Sequence, residues 1–498
     1  MNKLNTFAKQ IIEYAPSAFL PAVTSFLAIF FFTNILRPDQ YGTYNIAFNL
    51  AVLFSSLTTQ WLTQGINRYL PAENADEGTA HIQQASTVSL LRIGAGLTLL
   101  SIGISLIIMP ALPSHTHSIL LATLSFLITN SLFTPLTTLF QAQLRPRRYT
   151  LYRSLFTTMQ LCLALFLVTR VYRDPSAIMW ANTVVQAILI VWMWPDAKLP
   201  APDRFAKLSA RQLNVVIRRL FVYGFPMTGW LVASSLLNVG DRYLLQMLRG
   251  SAEVGIYAVN YAPMSQGVTL LGMPILLAGH PWLMKVWGQK NYHETARLLG
   301  SIIEKLVLVG ILVTGIAWLY SGDIAGVLLG PQFRRGHNIM PIIAAGAMLW
   351  QIANYIHKPL EFANDSKMLC TYSLIALTIN VVLNLWLIPT YGFVAAAWNT
   401  LIAYGSYVLM AGTAAFRILP CKLDSRRLIL TLLSLILAFA AIGQIRGFLE
   451  YHVSHSMGFV VAILLTLLLM GVFIYRSVKV PIRNLIKSPL LISTRKEI

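Results

Sequence analysis

Charge is scarce in this sequence. Only 11% of its 498 residues are Asp, Glu, Lys or Arg, against about 25% in a typical soluble domain. Acidic residues are the scarcer sign, 18 against 38 basic, which leaves a formal net charge of +20. Cysteine is nearly missing. Cys162, Cys370 and Cys421 are the three, and no two form a Cys-x-x-Cys pair, which excludes a disulfide framework and a cysteine zinc site. No Gly-x-x-x-x-Gly-Lys-Ser/Thr run occurs, so no P-loop for a nucleotide is present. Neither His-Glu-x-x-His nor Gly-x-Ser-x-Gly occurs, and no nucleophile–base pair can be read from the chain. The expectation is a non-enzyme with no metal and no cofactor. Nucleic acid is not an expected partner despite the basic charge, because there is no basic stripe on a soluble fold.

What is abundant is apolar sequence: 56% of residues, with a mean hydropathy of +0.63. A helix needs about 20 apolar residues to cross the hydrocarbon of a bilayer. Such stretches lie near 13–36, 43–67, 86–109, 118–141, 151–169, 176–194, 221–240, 254–280, 298–320, 338–361, 369–388, 391–414, 428–444 and 457–475. The reading is an all-α integral membrane protein with about fourteen transmembrane helices. The first apolar run is longer than the roughly 7–15 residues of a signal-peptide core, so it reads as a retained helix. Placing both termini in the cytoplasm assigns 27 Lys and Arg to the inner side and 8 to the outer, as the positive-inside bias requires. The longest polar interruption, 195–219, carries six basic residues. It reads as a cytoplasmic linker ending in a basic surface helix.

A weak internal repeat divides the chain. Gly42-x-Tyr44 aligns with Gly255-x-Tyr257 at an offset of 213, and Arg92 aligns with Lys305 at the same offset. Trp180-Ala-Asn182-Thr183 resembles Trp398-Asn399-Thr400 at an offset of 217. Parallel repeats of six helices each follow. The expected organisation is an N-terminal lobe over 1–200 that includes the start of the linker, a C-terminal lobe over 201–416, and a terminal helix pair with a basic tail over 417–498. Gly94, Gly96, Gly103 and Gly224 read as close contacts or hinges, and Pro226, Pro263, Pro274 and Pro341 as helix kinks.

The turn Pro38 to Tyr44 (P-x-x-Y-G-x-Y), the run Asp241 to Leu245 (D-R-Y-L-L) followed by Gly255-x-Tyr257, and the turn Pro389 to Gly392 (P-x-Y-G) carry a family resemblance. Over about 1–416 the chain resembles the polysaccharide transporter family, the Wzx-type flippases of the MOP superfamily. The resemblance implies two lobes that rock between inward- and outward-open states. It also implies a polyprenyl-pyrophosphate-linked oligosaccharide as cargo, moved across the bacterial inner membrane for O-antigen, capsule or exopolysaccharide synthesis. Polymerase or glycosyltransferases of the same pathway would be partners beside the bilayer. Two other readings stay open: a multidrug or cation antiporter of the same superfamily, and a peptidoglycan-precursor flippase.

Charges inside membrane helices are the default functional candidates. Arg92, Arg68, Lys305 and Lys358 would gather the pyrophosphate at the inner mouth, Arg through its planar fork and Lys as a point charge. Glu13, Asp241 and Glu361 are candidates for ion coupling. Against each stands a plainer role: a snorkelling cation near a helix end, an interfacial carboxylate, or a local pair such as Lys358 with Glu361 at i,i+3.

Overall fold

The computed structural model describes residues 2–72, 76–197, 199, 209–363, 365–421 and 424–478. Among these residues there are fourteen α-helices and no β-strand. They are α1 (Asn2–Ile35), α2 (Pro38–Tyr69), α3 (Asp76–Ile108), α4 (His117–Ala142), α5 (Pro146–Phe166), α6 (Ser176–Asp196), α7 (Ala210–Arg249), α8 (Ser251–Gly288), α9 (Tyr292–Leu328), α10 (Met340–Ile356), α11 (Lys358–Phe362), α12 (Ser366–Ile418), α13 (Ser425–His452) and α14 (His455–Val478). Short α11 continues the stretch begun by α10. Long α12 holds two expected stretches in one element, bent at Gly392 (φ 58°, ψ −141°). Nine helical stretches among the described residues are long and apolar enough to cross a bilayer. The fold is the expected all-α membrane bundle.

Local chemistry sets the helix ends. Pro38 and Pro146 occupy the first turns of α2 and α5, where a missing N–H costs nothing. Pro341 likewise opens α10; it starts that helix rather than kinking it. Ser209 and Gln212 form a capping box at the start of α7, satisfying two otherwise orphaned N–H groups. No proline or glycine follows until Gly224. The basic stretch with Arg211, Arg218 and Arg219 is therefore the first part of α7 itself, and not a separate surface helix. Forty residues make α7 about 60 Å long, twice the hydrocarbon thickness. Its Gly224 allows close packing on α2, since a Cβ there would lie 1.9 Å from the Trp61 carbonyl oxygen. Gly96 and Gly103 face open space and are not close contacts.

The chain divides into two compact units. The first comprises 1–266, 324–336 and 367–403, and the second 267–323, 337–366 and 404–498. In the first unit α2 packs on α4 and α7, α4 on α6, and α1 on α5. Its main core joins Leu62, Ile66, Leu90, Phe133, Phe140 and Leu189. Leucine and isoleucine also point outward, with Leu99, Leu106 and Ile107 of α3 more than two-thirds exposed. Such a surface suits lipid and not water.

The repeat seen in the sequence reappears as geometry inside this first unit. A Cβ on Gly42 would lie 1.8 Å from the Ser251 carbonyl oxygen, and one on Gly255 would lie 2.0 Å from that of Pro38. Pro38 and Ser251 are themselves 213 apart, so the two turns dock reciprocally. Each turn also braces a later one. Gln40 Nε2 donates to the Arg173 carbonyl (3.2 Å). At the position 213 residues on, Glu253 Oε2 accepts from the Phe393 N–H (3.0 Å) beside Gly392.

The second unit has its own core of Leu283, Leu299, Ile303, Leu306, Ile352 and Tyr355, and its α13 and α14 form a hairpin. Arg446 of α13 is the main polar tie. It forms a fork with Asp323 of α9 (2.7 and 2.9 Å), reaches Glu450 (2.8 Å) and donates to the Leu319 carbonyl. Its side chain is 13% exposed. Arg446→Ala would take from Asp323 its forked partner, and losing hydrogen bonds between charged groups costs about 1.5–3 kcal/mol. A clear drop in melting temperature in detergent is expected. Adding Asp323→Asn and Glu450→Gln should restore part of the loss.

Candidate functional site

A cavity of about 470 Å³ lies within the first unit. Its walls are single helix faces. On α1 the lining residues are Pro21, Thr24, Ser25, Ala28, Ile29 and Phe32; on α2 they are Tyr41, Tyr44, Asn45, Phe48 and Asn49. These 3- and 4-residue spacings mark one stripe of a helix. Helices α4 to α8 complete the wall with residues such as Asn130, Arg153, Gln186, Arg242 and Gln266.

Three kinds of chemistry meet there. The first is aromatic. Tyr41, Tyr44, Phe48 and Phe126 form a chain of rings with centroids 5.8, 5.9 and 5.3 Å apart, the spacing of attractive ring pairs. The second is amide. Gln186 Nε2 donates to Asn130 Oδ1 (3.1 Å), Asn130 Nδ2 donates to Ser55 Oγ (3.0 Å), and Thr129 donates to Gln186 Oε1 (2.9 Å). Gln266 Nε2 donates to Ser25 Oγ (2.8 Å), while its Oε1 is buried without a partner among the described residues. The third is cationic. Arg153 of α5 and Arg242 of α7 are the charged residues in the lining, and no Asp or Glu belongs to it.

The two arginines are poised rather than spent. Arg242 is 8% exposed. Its guanidinium sits 4.9 Å from the Tyr261 ring centroid, and one Nη donates weakly to Asn45 Oδ1 (3.4 Å). The Nε groups of both Arg153 and Arg242 are buried with no hydrogen-bond partner among the described residues. A buried donor without a partner is costly, so both groups suit an anion that would complete them.

Behind Arg242, Asp241 faces a separate polar network. Tyr257 and Thr400 (3.1 Å) both donate to its Oδ2. Asn380 donates to Thr400 (3.4 Å), Asn384 to Asn380 (2.9 Å) and Asn399 to Asn384 (3.0 Å). Asp241, Tyr257, Asn380, Asn384, Asn399 and Thr400 are all at most 4% exposed. Asp241 Oδ1 and Asn399 Oδ1 are buried and unpartnered among the described residues. Among those residues no three His, Cys, Asp or Glu come together.

The expected site residues fall elsewhere, Asp241 apart. Arg68 is exposed, 5.8 Å from the Tyr223 ring. Arg92 of α3 and Lys305 of α9 are exposed. None of these three, nor Lys358, lines the cavity. Lys358 is buried against Glu361, whose other oxygen meets His357 Nε2 at 2.9 Å, so both Lys358 and Glu361 are committed to each other. The Glu13 side chain lies outside the described residues. Sequence reasoning missed Arg153 and Arg242 as cavity cations, assigning them to the inner and outer loop charges. The signal that could have found them is the polar stripe: Tyr41, Tyr44, Asn45, Phe48 and Asn49 on α2, and Arg153, Thr157 and Gln160 on α5.

Known structures share this fold. The lipid II flippase MurJ in an inward closed conformation superposes with a TM-score of 0.69 at 13% identity, covering 94% of this chain and 99% of that one. An inward-facing multidrug resistance MATE transporter of the MOP superfamily gives 0.64 at 10% identity, covering 81% and 97%. An outward-facing conformation of a MATE transporter gives 0.55 at 12%, covering 82% and 95%. At such identities the likeness is one of fold. No curated protein sequence matches. The family profile described as polysaccharide biosynthesis protein matches residues 7–287, more than half of the chain and every helix that lines the cavity. The chain belongs to the polysaccharide biosynthesis protein family, as a multi-pass membrane protein with a transporter fold.

Proposed function

We propose that this protein flips a polyprenyl-diphosphate-linked oligosaccharide from the cytoplasmic to the outer leaflet of a bacterial inner membrane, by alternating access. The product would feed assembly of O-antigen, capsule or exopolysaccharide. The observation that carries this reading is the charge of the cavity: two arginines with free donors and no carboxylate. A diphosphate must lose water to enter, and cations with charge-assisted hydrogen bonds offset that cost. The amides supply donors and acceptors for sugar hydroxyls, and the aromatic chain supplies apolar faces. The volume falls in the usual range of small-ligand sites, enough for the headgroup and its first sugars. The prenyl tail would stay in lipid.

A cation antiporter would need carboxylates in this wall, and the lining has none. A peptidoglycan-precursor flippase shares the diphosphate, so the glycan decides between that and the proposed cargo. Orientation follows the basic residues, with both termini cytoplasmic. Pathway polymerases and glycosyltransferases would receive or supply the cargo. Asp241, with an unpartnered buried oxygen, is the group assigned to binding a coupling ion.

The test is a flip assay. Purified protein in liposomes receives a fluorescent polyprenyl-diphosphate oligosaccharide, and an impermeant quencher reports the label reaching the outer leaflet. The expected result is faster exposure than in protein-free liposomes. Cation efflux without glycan-lipid exposure, across several glycans, would replace this reading with the antiporter.

A further inference from the structure

Arg153 and Arg242 stand at opposite ends of the cavity. Arg153 lies seven residues after Pro146, the first residue of α5, and Arg242 seven residues before Arg249, the last of α7. Helices α5 and α7 are two crossings apart and run the same way, so those two ends lie on opposite sides of the bilayer. A ladder of contacts within the first unit gives the separation. Arg242 touches Asn45 of α2 (3.4 Å). Ten residues along α2, Ser55 accepts from Asn130 of α4 (3.0 Å). Three residues along α4, the Phe133 ring meets Phe156 of α5 with centroids 5.1 Å apart, and Arg153 lies three residues further in the same direction. At about 1.5 Å per residue these steps put the two arginines about 24 Å apart along the helix axes, most of the roughly 30 Å of hydrocarbon. Between them the lining offers Asn49, Gln266, Gln186, Asn130, Gln160 and Thr157, which are amides and a hydroxyl.

A diphosphate is two phosphorus atoms joined through one oxygen. Neither its span nor the reach of a guanidinium closes a gap of that size, so one headgroup cannot hold both arginines at once. Resting on the flippase reading, we infer that Arg153 and Arg242 are successive stations for one diphosphate: Arg153 takes it from the cytoplasmic leaflet, and Arg242 takes it from Arg153 before it leaves by the outer one. Transport needs binding strong enough to enter and weak enough to leave, and dividing the cations between two sites meets both demands. A single site with both cations would hold the anion too long. Each station keeps an Nε without a hydrogen-bond partner among the described residues, so each has a donor for the anion. The amides between them meet sugar hydroxyls. The stations differ in which leaflet they face, so their roles exchange when the lipid travels backwards.

The experiment uses proteoliposomes that hold the full-length protein in one orientation, with no ion gradient. A fluorescent prenyl-diphosphate lipid with a neutral glycan is added to the cytoplasmic-side leaflet in one arm and to the other leaflet in the second. Initial rates against lipid density give a half-saturating density and a maximal rate in each direction. From the cytoplasmic side, Arg153→Gln should raise the half-saturating density about tenfold, the worth of one charge-assisted hydrogen bond, and leave the maximal rate. In reverse, the same variant should lower the maximal rate about tenfold and leave the half-saturating density. Arg242→Gln should be the mirror image, with its maximal rate falling in the forward direction and its half-saturating density rising in reverse. A residue with a merely structural role does not exchange its defect with direction. Melting temperatures establish that each variant is folded, and if one does not fold the other decides alone. A defect of the same form in both directions, or no defect at Arg153, overturns the relay and leaves the flippase reading standing. No flipping by wild type in either direction removes the flippase reading and this inference together.

Discussion

Replacing Arg242 by alanine is expected to slow glycan-lipid flipping roughly thirty- to hundredfold. A charge-assisted hydrogen bond to a desolvated anion is worth about 2–3 kcal/mol, and each 1.4 kcal/mol is a factor of ten. The native contacts of Arg242 are few: a weak bond to Asn45 and a stacking on Tyr261. It also carries the charge beside buried Asp241, so the rate of each variant is read together with its melting temperature, and a loss of rate counts where the fold is kept. Arg242→Lys should recover only part of the rate, because a point charge cannot reproduce the planar fork. Arg153 is half-buried, so Arg153→Ala should cost less than Arg242→Ala, and the double variant more than either. Equal flipping by Arg242→Ala and wild type would show that the cavity cation does not hold the cargo.

The second large effect is expected at the reciprocal glycines. An added methyl on Gly42 or Gly255 would stand 1.8 or 2.0 Å from a backbone carbonyl oxygen of the other turn. Even close Cα–H···O contacts keep carbon and oxygen about 3.3–3.6 Å apart, so one turn must move by more than an ångström. Overpacking of this kind costs about 1–3 kcal/mol or more, and backbone atoms cannot swing aside as side chains do. Gly42→Ala and Gly255→Ala should each lower the melting temperature and part the α1–α2 turn from the α7–α8 turn. A cysteine placed at Asn45, in a background without the three native cysteines, should then react faster with an impermeant thiol reagent. Unchanged melting and unchanged labelling in both variants would mean that the turns are not tightly docked.

Much of this architecture was legible, and the reason is physical. A segment that crosses lipid must satisfy its own backbone, so it is a helix of predictable length. The fourteen apolar stretches match the helices closely, with α12 joining two at Gly392. The 213-residue offset was legible because close backbone packing at Gly42 and Gly255 admits no other residue there. The cavity was harder to see. Lipid is as apolar as a protein interior, so hydropathy does not tell which way a membrane residue faces. Arg92 sits deep in its helix yet is exposed, while Arg153 and Arg242 sit near helix ends yet line the cavity. Proximity to a helix end favoured reading them as loop charges. The pairing of Lys358 with Glu361 was visible at i,i+3, but the free oxygen of Asp241 depends on α8 and α12 arriving from elsewhere in the chain.

The central claim is that the cavity receives a diphosphate. Its most direct test compares two fluorescent lipids in the same proteoliposomes, carrying one glycan and one prenyl tail, joined with or without the diphosphate. Wild type should expose the diphosphate-linked lipid rapidly and the neutral lipid no faster than protein-free liposomes, and Arg153→Gln with Arg242→Gln should abolish the difference. Equal flipping of both lipids by wild type, or a preference that survives the double substitution, would contradict the account.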